Sequence, residues 1–360
     1  MAEDPGSLVA LGAGHRPAAQ PAIDMNAAAR DQFGGRIMGR ELSHVARDPA
    51  LLEAGTTILA QGGHRTVEIS ISDPVNRVFN VRLEALPEDQ DEQRSALVIF
   101  RDLTESRRIE SMRVDFVANV SYELRTPLAT LHGFIETLRG PARDDLEAHE
   151  RFLEIMEQQT SRMTRLVTDL LSLSRIETAE HTAPNEEIEL RPLAEHLTAA
   201  TEMTAARQGI KVTLDIDPAL PPLIANSDEI SQVLQNLLEN ALKYGRDQSV
   251  VTIHAKMAKD LPASLSLQAD HLVAISVSDQ GDGIPREHIP RLTERFYRVD
   301  TARSRELGGT GLGLAIVKHI VSRHRGALTI DSKVGEGSTF TVYIPCKAPA
   351  VTKSQLFAAG

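Results

Sequence analysis

Asn236, Asn240 and Lys243 recur at i, i+4 and i+7, so in a helix they share one face. An amide oxygen on such a face can ligate Mg²⁺, a hard cation that prefers oxygen ligands. Asp279 is acceptor-only when ionised and suits the exocyclic amine of adenine, and the backbones of Gly281 and Gly283 permit a base to come close. Gly309, Gly311 and Gly313 place free N–H groups where a helix begins, an anion site suited to phosphates. Each feature alone has a plainer reading: a Gly-x-Gly-x-Gly run is more often a turn, and an isolated Asp is a solvated turn carboxylate. No Lys-Ser/Thr follows the glycines, which excludes a Walker-A loop, and they lack the strand context and acidic residue of a Rossmann fingerprint.

A second constellation is Tyr122, Glu123 and Thr126, inside Asp115-Phe-Val-Ala-Asn-Val-Ser-Tyr-Glu-Leu-Arg-Thr-Pro-Leu128. With Val120 at the centre of the apolar stripe and about 100° per residue, Tyr122 lies about 200° away. Asp115, Ala118, Asn119, Thr126, Ala129 and Gly133 lie on the same side. That polar or small face leaves room for another domain to dock and argues against a core-filling tyrosine. Pro127 removes one N–H and frees the carbonyl of Glu123, so a kink is expected just beyond the tyrosine.

The elements that must carry these residues are legible from periodicity. Glu105–Arg139 is predicted to be one helix, because Ile109, Met112, Phe116, Val120, Leu124, Leu128, Leu131, Ile135 and Leu138 step by three or four. Gly140-Pro141 ends it. A second helix is predicted from about Asp144 to Ile176, with Phe152, Met156, Met163, Val167, Leu170 and Leu173 on one side. A single hairpin buries little, whereas two copies pair as a four-helix bundle, so the burial requirement predicts a homodimer.

Residues 1–22, rich in Ala, Gly and Pro, are expected to be disordered. From 23 to 104 the pattern is α+β, with helices over Met25–Phe33 and Pro49–Gln61 and strands over Thr66–Ser72, Arg77–Leu86 and Ser95–Arg101. The hairpin occupies 105–178 and a polar linker 179–187. An α/β sandwich is expected over 188–346, and a loose tail over 347–360.

Taken with its neighbours, the acceptor-like segment resembles the phosphoacceptor helix of two-component sensor histidine kinases, with Tyr122 where that family carries histidine. Asn236-Leu-Leu-Glu-Asn-Ala-Leu-Lys-Tyr244, Asp279-Gln-Gly-Asp-Gly283, Arg295-Phe-Tyr-Arg298 and Gly308-Gly-Thr-Gly-Leu-Gly-Leu314 fall in the order and spacing of the GHKL ATP-binding fold. Gly335-Glu-Gly-Ser-Thr-Phe340 closes the set. The resemblance implies a dimerisation domain followed by an ATP-binding domain that uses ATP and Mg²⁺, closest to the phosphate-regulon sensor kinases. It implies that Asn240 holds the metal and that Lys243 and Tyr244 reach the nucleotide. Arg298, Thr310, Leu312 and Thr339 enter as nucleotide contacts through their motifs. A homodimer and a cognate response regulator are the implied partners. Asn26-Ala-Ala-Ala-Arg30 and Arg101-Asp-Leu-Thr-Glu105 resemble the ends of a PAS sensor domain, read here as a linking domain that binds no ligand.

The tyrosine divides the functional readings. Histidine offers a neutral nitrogen nucleophile at neutral pH, whereas a phenol stays almost wholly protonated unless a base activates it. A phosphotyrosine ester is also a poor onward donor. Hydrolysis of a regulator's phosphoaspartate, the reverse reaction implied by the resemblance, needs no such nucleophile. Its Glu-x-x-Thr element is intact as Glu123-Leu-Arg-Thr126. One reading is therefore a histidine kinase with an altered acceptor. The other is a kinase-dead, ATP-binding phosphatase or scaffold.

Composition bounds the rest. The 360 residues leave room for two or three domains, and 41% hydrophobic with 25% charged residues suits a folded protein. A net charge of -11 argues against a nucleic-acid partner. One cysteine, Cys346, precludes an internal disulfide and suits a reducing compartment. No stretch reaches the roughly 18 apolar residues of a membrane span, and the acidic start is unlike a signal peptide. The expectation is a cytoplasmic chain whose membrane contact, usual among such kinases, would need a segment outside it.

Overall fold

The computed structural model describes residues 7–12, 22–33, 40–72, 76–87, 95–178, 182–258, 271–300 and 309–348. The chain divides between Ala118 and Asn119 into two compact units.

The first unit is a five-stranded antiparallel sheet with two short helices. Its strands are β1 (Ser7–Gly12), β2 (Ala22–Met25), β3 (His64–Ile71), β4 (Arg77–Ala85) and β5 (Ser95–Asp102), in the order β2-β1-β5-β4-β3. The helices are α1 (Ala27–Phe33) and α2 (Pro49–Gln61). The expectation of disorder over 1–22 is corrected at 7–12 by β1, which pairs Val9 with Val98 of β5 and buries Val9 and Leu11 completely, while 1–6 and 13–21 lie outside the described residues. Those two alternate residues supply the core face of a half-buried strand, a signal that the Gly- and Pro-rich flanks obscure. Helix α1 begins two residues later than predicted, because Asn26 caps it: its Oδ1 accepts from the N–H of Ala29 (2.8 Å) and also from Leu8 (3.1 Å). Asp48 caps α2 in the same way, with Pro49 in its first turn.

The hairpin consists of α3 (Thr104–Arg139) and α4 (Leu146–Thr178). Asp102 accepts from the N–H of Thr104 (2.8 Å) at the start of α3, and Asp145 from Ala148 (2.9 Å) at the start of α4. The facing sides meet through the stacked rings of Phe134 and Phe152, 4.9 Å apart between centroids. Leu128, Ile135, Leu153, Val167 and Leu171 remain exposed on the hairpin's other faces. The predicted stripe is therefore two stripes, one used within the chain and one left over. No helix among the described residues is long and apolar enough to cross a membrane.

The C-terminal domain is a mixed sheet, β11-β12-β10-β9-β7, with helices against it. Its strands are β7 (Lys211–Ile216), β9 (Val250–Met257), β10 (Leu272–Asp279), β11 (Ala327–Lys333) and β12 (Gly337–Pro345). Among the described residues only the β7–β9 pairing is parallel. The helices are α5 (Leu190–Arg207), α6 (Ser227–Tyr244) and α7 (Gly313–Arg323). Helix α6 buries Ile230, Val233, Leu234, Leu237 and Leu238 completely, which leaves its polar face for the site. A two-residue ribbon joins β6 (Glu187–Ile188) to β8 (Leu223–Ile224), so Glu187 belongs to a strand rather than to the expected linker. Lys347 is also not loose. Its N–H bonds to the Pro222 carbonyl (3.0 Å) and its ammonium to Glu187 (2.9 Å). Residues 349–360 of the expected tail lie outside the described residues.

His324 ties α6 to α7. Its side chain is fully buried, Nε2 accepts from the N–H of Asn226 at the start of α6 (3.1 Å), and Nδ1 donates to the Ile320 carbonyl (2.8 Å). Burial lowers its pKa, opposed by the Ile320 bond and by the nearby Glu229 carboxylate. The folded state thus holds neutral imidazole. The contribution is present above the unfolded value of about 6.5 and is lost as pH falls below it. We expect the melting temperature of the C-terminal domain to drop between about pH 7.5 and pH 5.5, the interval over which an unfolded histidine takes up its proton. In His324→Gln that pH-dependent drop should shrink, as followed by circular dichroism.

Candidate nucleotide site and acceptor helix

A cavity of about 470 Å³ opens between α6, the glycine-rich loop before α7, the β10 end and one face of α4. Asn236, Asn240, Lys243 and Tyr244 line it from α6, so the shared face read from their spacing does meet a cavity. Asp279 and Gly283 line the β10 end, beside the apolar Ile284, Leu292 and Phe340. Gly309, Thr310, Gly311, Gly313 and Arg298 also line the cavity, with Gly313 packed against Asn236. Gly308 lies outside the described residues.

The glycines have distinct reasons for being glycine. Gly311 has φ +75°, and a Cβ there would sit 2.9 Å from the Phe296 backbone. A Cβ on Gly313, the first residue of α7, would meet Asn236 Oδ1 at 2.9 Å, so α6 and the N-terminus of α7 close on each other. Gly281 is a correction: it does not line the cavity, and its missing side chain makes room for the Tyr244 carbonyl, whose oxygen would lie 2.2 Å from a Cβ at this position. Gly283 does line the cavity, yet its missing Cβ faces the Lys333 carbonyl. Close approach here is chain against chain.

Two further expected contacts move away from the cavity. Leu312 is fully buried in the core, its N–H bonding to Thr310 Oγ1 (3.3 Å) and its carbonyl accepting from the N–H of Ile316 (2.9 Å). Thr339 lies on the other face of the sheet, where its hydroxyl bonds to Ser278 (2.9 Å). Strand alternation then turns its neighbours Ser338 and Phe340 toward the cavity.

The electrostatics follow from burial. Asp279 accepts from the N–H of Gly281 (2.7 Å), yet burial still pushes its pKa above the ordinary carboxylate value. Lys243 stacks on the Tyr244 ring, and burial followed by the nearby Arg298, Arg165 and Arg162 pushes it down to about 8.

The helical hairpin contributes a wall that sequence reasoning misses. Thr164, Arg165, Thr168 and Asp169 of α4 line the cavity. Asp169 Oδ2 accepts from Thr310 Oγ1 (2.8 Å), and Ser172 donates to Gln232 of α6 (2.9 Å). Thr164, Arg165, Thr168, Asp169 and Ser172 step by three or four and mark one polar helix face, but nothing in the sequence says which element covers it.

On the acceptor helix, Tyr122 is 55% exposed, as the face geometry predicts. Glu123 is not: one carboxylate oxygen meets both Arg162 (2.7 Å) and Arg298 (3.2 Å). Arg298 in turn donates to the Thr310 carbonyl (2.9 Å), which links the acceptor helix to the glycine loop. Two guanidiniums thus hold the Glu123 carboxylate. Thr126 is exposed and its hydroxyl bonds back to the Tyr122 carbonyl (3.2 Å).

Residues 112–179 match the His Kinase A (phospho-acceptor) domain, and residues 225–348 match the Histidine kinase-, DNA gyrase B-, and HSP90-like ATPase family. The chain belongs to the sensor histidine kinases. Among curated relatives, the phosphate regulon sensor protein PhoR of Pseudomonas aeruginosa is 36% identical over 312 residues, covering 87% of this chain and 65% of that protein. The sensor histidine kinase WalK of Bacillus subtilis is 34% identical over 319 residues, covering 85% of this chain and 50% of the relative. This chain therefore spans between half and two thirds of the length of these relatives. The histidine kinase ThkA, solved in complex with response regulator protein TrrA, aligns over 96% of this chain and 97% of its own with a TM-score of 0.51. At 20% identity that likeness speaks for the fold alone. Within this histidine kinase fold, α3 and α4 form the helical region and the C-terminal α/β domain is the ATPase module.

Proposed function

We propose that this chain is the signalling core of a two-component sensor kinase that binds Mg-ATP, dimerises through α3 and α4, and acts on a response regulator. The observation that carries the nucleotide reading is the convergence of Asn236, Asn240 and Lys243 with the glycine loop on one cavity. Asn236 and Asn240 would hold the metal side, Asp279 the adenine amine, and the N–H groups at the start of α7 the phosphates. Bound Mg-ATP would supply the transferable phosphoryl group. The donor set suits an anion, since Lys243 has no salt bridge among the described residues. Calorimetry with Mg-ATP tests this: absence of binding by folded protein would sink the reading.

The exposed apolar face left on the hairpin supports a homodimer. We expect light scattering to return twice the chain mass, and a monomer at micromolar concentration would contradict it. The sheet order β2-β1-β5-β4-β3, with its strand β5 feeding α3 through the Asp102–Thr104 cap, supports a PAS-like relay for the first unit. The likeness to PhoR supports a regulator of the phosphate regulon.

A second reading is favoured by Tyr122. A phenol at the acceptor position, with Glu123 engaged by two arginines, suits a chain that has lost histidine-type phosphotransfer. Such a chain keeps nucleotide binding and acts on a phosphorylated regulator as phosphatase or scaffold.

A further inference from the structure

The cations around the cavity fall into two groups. Arg162 and Arg298 are spent on Glu123, and Arg298 also on the Thr310 carbonyl. Arg165 and Lys243 are not: neither makes a hydrogen bond or a salt bridge among the described residues, although both line the cavity. They come from different elements, α4 and α6, and face the same space. Asp169 lies within electrostatic reach of Arg165, and Glu239 of Lys243, but among the described residues neither carboxylate bonds to them, so both cations keep donors for an anion. The Lys243 pKa is lowered first by burial and then by Arg298, Arg165 and Arg162, with Glu239 opposing.

The position of Arg165 along the cavity is fixed by its neighbour. Asp169 is four residues on, so the two share one face of α4. Asp169 bonds to Thr310, which stands between Gly309 and Gly311. Along α6 the glycine loop packs at Asn236 through Gly313, whereas Gly281, beside Asp279, packs at Tyr244, about two helical turns further on, so the bond from Asp169 to Thr310 places the α4 wall toward the glycine-loop end. A nucleotide with its base at the Asp279 end presents its terminal phosphate toward Arg165.

We infer that Arg165 is a phosphate-binding residue of the nucleotide site, supplied by the helical hairpin, and that with Lys243 it selects nucleoside triphosphate over diphosphate. The inference rests on the nucleotide reading above and adds a specificity role to it. A guanidinium reaches a phosphate with paired donors, and such charge-assisted contacts are among the stronger hydrogen bonds. A diphosphate ends one phosphate short and forgoes that contact. The hairpin would then sense which nucleotide is bound through a residue of its own.

The test uses the full chain, with calorimetric titration of ADP and of a non-hydrolysable ATP analogue, both with Mg²⁺. Arg165 is exposed at the surface of α4, so its substitution leaves the core intact. In Arg165→Gln the dissociation constant for the triphosphate should rise about 5- to 10-fold while that for ADP changes less than about twofold. Arg165→Lys should recover part of the difference, since it restores charge without the fork. Equal losses for both nucleotides, or none for either, would overturn the role of Arg165 while leaving the nucleotide site standing. Failure of the unsubstituted chain to bind either nucleotide would instead overturn the site itself.

Discussion

Gly311→Ala is expected to lower Mg-ATP affinity at least tenfold, equivalent to about 1.4 kcal/mol. Two costs combine at this position. The residue sits at φ +75°, where a non-glycine residue is strained by about 1–3 kcal/mol. The added Cβ would also lie 2.9 Å from both Cα and C of Phe296, which is backbone and cannot rotate aside. The loop must shift, and it is tied down on both sides: Phe296 N–H donates to the Gly311 carbonyl (2.8 Å) and Arg298 to the Thr310 carbonyl (2.9 Å). A shift therefore moves the N–H groups that lead into α7. Gly62→Ala is the matched control, since Gly62 has the same φ of +75° with nothing within 4 Å of its Cβ position. It should strain the chain without touching ATP affinity. Unchanged calorimetric affinity in folded Gly311→Ala protein would count against the loop as a phosphate cradle.

The contrast between Gly311 and Thr339 shows what a sequence can and cannot deliver here. Helices α3, α4 and α6 are legible because a stripe repeated every three or four residues survives over many turns. The face of α6 follows directly, since i, i+4 and i+7 leave no choice of side. Thr339 falls on the wrong face because a motif names residues in a row, whereas a strand turns alternate residues to opposite faces. Strand β1 escapes a sequence reading for a different reason. Two inward residues, Val9 and Leu11, are too short a pattern to stand out against Gly- and Pro-rich flanks, and its partner β5 lies far along the chain. The α4 wall is invisible in a third way. Asp169 and Thr310 are 141 residues apart, and no local periodicity encodes which polar face another domain will cover. Glu123 combines these problems: its motif position is clear, but its two arginine partners come from α4 and from the ATPase domain.

Those partners sharpen the expectation for Tyr122. With radiolabelled ATP, the chain is expected to pass no phosphoryl group to a response regulator, and Tyr122→His to gain autophosphorylation of a kind the parent lacks. The argument is one of nucleophile and base. A tyrosine hydroxyl needs a base to become nucleophilic at neutral pH, because the phenol is otherwise protonated. The adjacent candidate, Glu123, has the same carboxylate oxygen bound to Arg162 (2.7 Å) and Arg298 (3.2 Å), with its side chain largely buried. Taking a proton there would mean giving up these charge-assisted hydrogen bonds. Thr126 offers no help, since its hydroxyl is bonded to the Tyr122 carbonyl rather than placed as a base. Histidine avoids the requirement: its neutral ring nitrogen is already a nucleophile near pH 7. General-base assistance is worth about 10²- to 10⁴-fold, which sets the scale of the expected gain. The same residues predict that hydrolysis of a phosphorylated regulator persists in the parent chain and falls in Thr126→Ala, because that reaction calls on a positioned water and not on the phenol. The outcome that would reverse this view is specific: label found on Tyr122 itself and then on a regulator aspartate would make the tyrosine a working acceptor, and would require a base other than Glu123.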